Sequence, residues 1–223
     1  MPLFYQQNID ENTRLAVWKI EEEEAFFLKY VPLQATITHP NKRLQHLAGR
    51  YLLRELFPGF PYHDIEIAST RKPFLPNEQY HFSISHCGDY AAAIVSTVAR
   101  VGVDVEVVTP RVKRIRHKFL HRDELRFVNA MAGVEEDKLL TILWSAKEAM
   151  YKWYGLGEVD FSEMMRTLPF EVKEDGIIQG FFAKDEVMER LDMHYIVWDS
   201  LCLVWIASLA IVYENLPTPV VAV

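Results

Sequence analysis

The clearest pattern along the chain is Val101-Gly102-Val103-Asp104-Val105-Glu106-Val107, where valines alternate with a glycine and two carboxylates. Successive strand side chains point to opposite faces, so the valines face a core while Gly102, Asp104 and Glu106 share the other face. Residues 80–85 and 90–97 also read as strands, and His86-Cys87-Gly88-Asp89 between them predicts a hairpin. Residues 14–31 predict a strand followed by an acidic helix start at Glu21 to Glu24, where carboxylates suit the helix dipole. The helical period governs Pro40 to about Phe57, stopped by Pro58-Gly59. Leu44, Ala48, Tyr51 and Leu52 form its apolar side, and Arg43, Arg50 and Arg54 share another. A basic segment, Arg111 to Arg122, leads into a helix over about 122–131. A stronger helix follows from about Glu136 to Tyr154, closed by Gly155 and Gly157. The apolar run Tyr195 to Tyr213 is broken by Asp199-Ser200 and is rich in Val, Ile and Trp, which predicts two strands rather than a membrane span.

Strands and helices do not alternate regularly, so the pattern predicts an α+β architecture rather than a doubly wound sheet. Each half offers strands and one long helix. The expected division is an N-terminal subdomain over 1–100, a C-terminal subdomain over 101–215 and a flexible tail over 216–223.

Composition narrows the classes of function. Half of the 223 residues are apolar and 25% are charged, which is a globular composition. The net charge of −7 argues against a general nucleic-acid binder, whose affinity rests on neutralising phosphates. Cys87 and Cys202 are far apart and lack metal-ligand spacing, as expected of free thiols in a reducing compartment. The opening MPLFYQQNIDENTR shows no signal-peptide pattern, so the expected location is cytoplasmic, with no membrane association.

Three constellations carry chemistry. Asp104 and Glu106 repel each other unless water or a cation lies between them, and hard oxygen ligands of this kind suit Mg²⁺. Read alone, they are equally the polar face of an exposed edge strand. In Trp144-Ser145-Ala146-Lys147-Glu148-Ala149-Met150-Tyr151-Lys152, the residues Trp144, Glu148 and Lys152 stack on one helical face. Read alone, Glu148 and Lys152 are an ordinary stabilising pair. Lys72, in an extended segment before Pro73, joins Ser85 and His86 beside a glycine turn as a candidate anion site.

Taken together and in order, these pieces resemble the 4′-phosphopantetheinyl transferase superfamily. GVDVE and WSAKEAMYK match the family forms (V/I)G(V/I)D and W-S-x-K-E-A-x-x-K. KPFLP, FSISHCGDY and the helix segment LAGRYLLREL support them. The chain length resembles the two-domain, surfactin-synthetase-activating type. That resemblance implies two similar α+β subdomains about a pseudo-two-fold axis, and a monomer. It also implies transfer of the phosphopantetheine arm of coenzyme A to a serine of an apo acyl or peptidyl carrier protein, with release of adenosine 3′,5′-bisphosphate. The carriers of fatty-acid, polyketide and nonribosomal peptide synthesis are the implied partners.

Residue by residue, the resemblance makes Asp104, Glu106 and Glu148 the Mg²⁺ ligands. Glu148 is also the candidate general base, and Lys152 the group that neutralises phosphate charge. Lys72, Ser85, His86 and Lys147 match coenzyme A phosphate contacts. The family's basic residue for the 3′-phosphate is replaced by Gln45, which leaves Arg43, and less directly Arg50, for that role. The acid-free stretch holding Arg114 and Arg116 is a candidate docking face for acidic carriers, with Phe119 as an apolar anchor. Two other readings share these residues: a Mg²⁺-dependent hydrolase of coenzyme A or nucleotide pyrophosphate, and a non-catalytic module that binds carrier proteins.

Overall fold

The structure, a computed structural model, describes residues 2–33, 37–131 and 135–209. It divides into two compact units. One holds the chain up to Val101 and the residues from Ala207; the other holds Gly102–Ile206. The tail expected over 216–223 lies outside the described residues.

The first unit is built on a four-stranded antiparallel sheet. Its strands are β1 (Leu3–Asn8), β2 (Thr13–Lys19), β5 (His81–Cys87) and β6 (Tyr90–Ser96), in the order β1-β2-β6-β5. A two-residue ribbon of β3 (Glu66–Ile67) and β4 (Pro73–Phe74) lies outside it. The short helix α1 (Glu24–Leu28) precedes the long helix α2 (Pro40–Leu56). Pro40 opens α2 where a missing N–H costs nothing. The helix ends because Phe57, forced out of the helical region by Pro58, is extended. Leu47, Ala48, Leu52 and Leu53 of α2 share a core with Ala16, Trp18, Ala91, Ala93 and Val95 of the sheet. The register pairs Ala16 with Ala93 and Trp18 with Ala91, so small side chains leave room for the helix. Gly49 uses that room, since a Cβ there would stand 2.5 Å from Ile84 Cγ2. The β5–β6 turn needs Gly88 at φ 54°.

The second unit carries a five-stranded sheet in the order β7-β11-β10-β9-β8. These strands are β7 (Ala99–Val107), β8 (Met165–Thr167), β9 (Asp175–Lys184), β10 (Val187–Trp198) and β11 (Leu201–Leu209). Asp199, at φ 40°, and Ser200 form the two-residue turn that divides the long apolar run into β10 and β11. Helices α3 (Arg111–Phe119) and α4 (Arg122–Ala130) precede α5 (Glu136–Tyr154), which ends where Gly155 turns left-handed at φ 77°. The α+β class read from the pattern holds. Strand β1 was not among the expected elements, and its exposed, mixed face explains why: its pattern alternates without a strong apolar side. The basic segment, read only as a charge run, is helix α3. Its Val112, Ile115 and Phe119 form the stripe that packs on α5.

Candidate functional site

The polar face of β7 is covered, not solvated. Gly102 makes this possible: a Cβ there would meet the Ala149 carbonyl oxygen at 2.1 Å and the Trp153 nitrogen at 2.8 Å. Strand β7 and helix α5 therefore touch backbone to backbone at this one point. Two residues on, Asp104 is buried, and two residues beyond that the strand end emerges to partial exposure at Glu106 and Val107. Lys152, one turn beyond Glu148 on α5, donates to Asp104 Oδ1 at 2.7 Å. Strand β7 is the edge of its sheet, but Asp104 on it is not exposed.

Glu148 is where the electrostatics concentrate. Its carboxyl is pushed up to about 7, first by burial and then by the negative charge of Asp104; Glu106 adds to this and Lys152 opposes it. Two carboxylates and one ammonium thus set the field at Glu148. Among the described residues, no three His, Cys, Asp or Glu side chains already stand as a metal cage. The donor chemistry nevertheless fits a hard divalent cation, because carboxylate oxygens are its preferred ligands and positive charge would offset the negative field at Glu148.

Lys147 is a correction. It was expected at a phosphate, but its ammonium is wholly buried. It donates to Glu124 Oε2 at 2.5 Å, to the Phe119 carbonyl and to the Phe161 carbonyl at 2.9 Å. All three of its N–H groups are used inside the unit. The signal was present in the sequence: Lys147 lies four after Leu143 and three before Met150, on the core stripe of α5. Phe119 is the second correction. It is buried, edge-on to Trp144 at 5.2 Å, so it offers no anchor to a partner. Arg114 is exposed on α3, while Arg116 donates to Glu136 at 2.8 Å.

In the first unit the expected anion contacts separate into groups. Arg43 is clamped by both oxygens of Glu24, which holds that carboxyl down, so the guanidinium is already engaged by an acid. This counts against Arg43 as the 3′-phosphate contact. Arg50 is buried, with Nη1 3.1 Å from His46 Nδ1. Burial, then the charges of Arg50 and of the exposed His86, push His46 down to about 4. His46 was not singled out from the sequence, although it lies one turn before Arg50 on the same helix. Gln45 donates to the Gly88 carbonyl at 2.8 Å, which ties α2 to the turn beside His86. Burial, with Arg100 adding to it, pushes Lys72 down to about 7. Ser85 is buried on β5. The second unit thus carries Asp104, Glu106, Glu148 and Lys152, and the first unit carries Arg50, His46 and His86.

Residues 100–197 match the model of the 4′-phosphopantetheinyl transferase superfamily, and residues 33–96 match the model of a 4′-phosphopantetheinyl transferase N-terminal domain. The chain belongs to the 4′-phosphopantetheinyl transferase superfamily. Among its relatives is the 4′-phosphopantetheinyl transferase psf-1 of Bacillus pumilus, 28% identical over 57% of this chain and 54% of the relative. The 4′-phosphopantetheinyl transferase AcpT of Escherichia coli is 30% identical over 51% of this chain and 59% of the relative. Enterobactin synthase component D of Escherichia coli is 32% identical over 56% of this chain and 62% of the relative. In each case the chain spans little more than half the length of the relative. The first superfamily match contains every residue of the Asp104, Glu106, Glu148 and Lys152 group.

Proposed function

We propose that the protein transfers the 4′-phosphopantetheine arm of coenzyme A to a serine hydroxyl of an apo carrier protein. The observation that carries this reading is the meeting of Asp104, Glu148 and Lys152 where β7 touches α5, within a superfamily match. In the reaction, the serine oxygen forms a bond to the phosphorus that bears pantetheine. The anhydride bond to the other phosphate breaks, and adenosine 3′,5′-bisphosphate leaves. Glu148 takes the serine proton, as a carboxylate within reach of the hydroxyl can. Lys152 places positive charge beside the phosphates as the anhydride breaks. Asp104, Glu106 and Glu148 would hold Mg²⁺, which supplies charge neutralisation on the pyrophosphate.

The first unit supplies the remaining contacts in this proposal. Arg50, His86, Ser85 and Lys72 bind coenzyme A phosphates. A lysine already held down to about 7 regains its proton when an anion arrives, so its charge is greatest when it is needed. Arg114 on α3 attracts acidic carriers. The division into subdomains at about residue 100, the monomeric state and the cytoplasmic location belong to the same proposal. No helix among the described residues is long and apolar enough to cross a membrane.

The test is intact-mass measurement of apo acyl, polyketide and peptidyl carriers after incubation with the protein, coenzyme A and Mg²⁺. A gain of one phosphopantetheine on any of them is expected. Release of adenosine 3′,5′-bisphosphate with every carrier unmodified would replace the proposal with hydrolysis. Arg114→Glu is expected to raise KM for the carrier by about threefold and to leave KM for coenzyme A unchanged. An equal rise in both would remove α3 from carrier docking.

A further inference from the structure

The buried charges of the second unit do not all belong to the reacting group. Lys147 and Glu124 lie outside it, and the chemistry proposed above uses neither. Their hydrogen bonds are complete. Lys147 reaches Glu124, the Phe119 carbonyl at the end of α3 and the Phe161 carbonyl in the segment after α5. Glu124 Oε2 also accepts the His121 N–H at 2.7 Å, and its Oε1 accepts the Thr167 N–H at 2.8 Å and the Thr167 hydroxyl at 2.7 Å. One ion pair thus ties four places in the chain to a single point on α5: the end of α3, the start of α4, the Phe161 segment and β8.

That point adjoins the reacting face. Lys147 immediately precedes Glu148. Phe161, whose carbonyl Lys147 holds, stacks its ring on Trp144 at 5.8 Å and tilts against Tyr151 at 5.5 Å. Trp144 and Tyr151 are the i−4 and i+3 neighbours of Glu148 on the helix surface. A buried ion pair is a weak device for stability, because apolar residues of similar volume often serve as well. It is a strong device for geometry, because an ammionium with three oxygens and a carboxylate with four donors have one arrangement that satisfies both.

We infer that Glu124 and Lys147 are positioning residues, which fix α5 and the Phe161 segment so that Glu148 and Lys152 are held in register with Asp104. The inference rests on the transferase reading for its kinetic consequence but not for its structural one.

The experiment compares wild type with Glu124→Gln and with the charge-free double variant Glu124→Gln/Lys147→Met. Amide hydrogen exchange over residues 159–163 and at Thr167 is measured beside kcat and KM for phosphopantetheine transfer. The double variant leaves no buried charge behind, so it keeps the test open if the single variant does not fold. Faster exchange at both places is expected, with kcat lowered about 10- to 100-fold, as misplacement of reacting groups costs. KM for coenzyme A should stay within about threefold of wild type, because the lost interaction is felt in the transition state rather than in binding. A folded variant with wild-type exchange overturns the inference, and so does one with wild-type kcat. If wild type itself transfers nothing, the transferase reading fails on its own, and the exchange measurement still decides whether the pair holds α5.

Discussion

Helix α5 carries two lysine–carboxylate pairs little more than one turn apart, and they are built differently. Lys147 and Glu124 are 0% and 3% exposed, and every polar atom of the pair is occupied by the protein. Lys152 is 23% exposed beside an Asp104 that is 4% exposed, and the carboxylate of Glu148 adds its field to theirs. The first pair has nothing left to offer a substrate. The second has an ammonium that reaches solvent and lies in the field of Glu148, whose carboxyl Asp104 helps to push up. Both pairs join a lysine of α5 to a carboxylate, at 2.5 and 2.7 Å, so what separates them is the exposure of the ammonium.

The comparison breaks most visibly at Lys147. Lys147→Met leaves the Glu124 carboxylate buried without its counter-charge, and the expected loss is about 3–5 kcal/mol of stability. Thermal or urea unfolding measures it, and a loss below about 1 kcal/mol would mean that the pair is not the closed unit described.

Lys152→Met sharpens the contrast. Lys152 is itself 23% exposed, so its removal from Asp104 is expected to cost about 1–2 kcal/mol, less than at Lys147. If the folded carboxylates hold Mg²⁺ as proposed, the ion should recover that loss. The same addition should return little to Lys147→Met. Melting temperatures with Mg²⁺ and with a chelator distinguish the two, and equal recovery in both variants would erase the distinction.

A separate test lies in pH dependence. Glu148 moves from an ordinary 4.5 to about 7 on folding, so the folded state binds its proton more tightly between those values. Its contribution to stability is complete below pH 4.5 and is lost as pH rises through 7. Glu148→Gln should flatten that part of the stability–pH curve measured without metal. A curve identical to wild type would show that Glu148 is not in the shared field.

The contrast between the lysines also marks how far the sequence could be read. The strands with strong alternation, β5, β6 and β7, and the helices α2, α4 and α5 were legible from period and punctuation. So was the turn at Asp199-Ser200, where two polar residues interrupt an apolar run. Strand β1 was not, because neither of its faces is dominated by apolar residues. Asp104, Glu106, Glu148 and Lys152 were legible as a set only through the paired motifs; each alone also fitted a solvated surface. The burial of Lys147 and Phe119 was written in their places on the apolar stripes of α5 and α3, but their residue types suggested function and drew the reading the other way. Glu124 had no signal of its own beyond its position in the first turn of α4, because its partners at Thr167 and Lys147 are brought to it only by the fold.

The central claim is that Glu148 acts chemically at the point where β7 meets α5. The most direct measurement is the rate at which Glu148→Gln loads phosphopantetheine onto an apo carrier that wild type modifies, read by intact mass at saturating coenzyme A and Mg²⁺. A fall of about 100-fold or more with the fold intact is the predicted result, since a base contributes on that scale. A rate within about threefold of wild type would contradict the account, because an amide that takes no proton would then serve as well as the carboxylate.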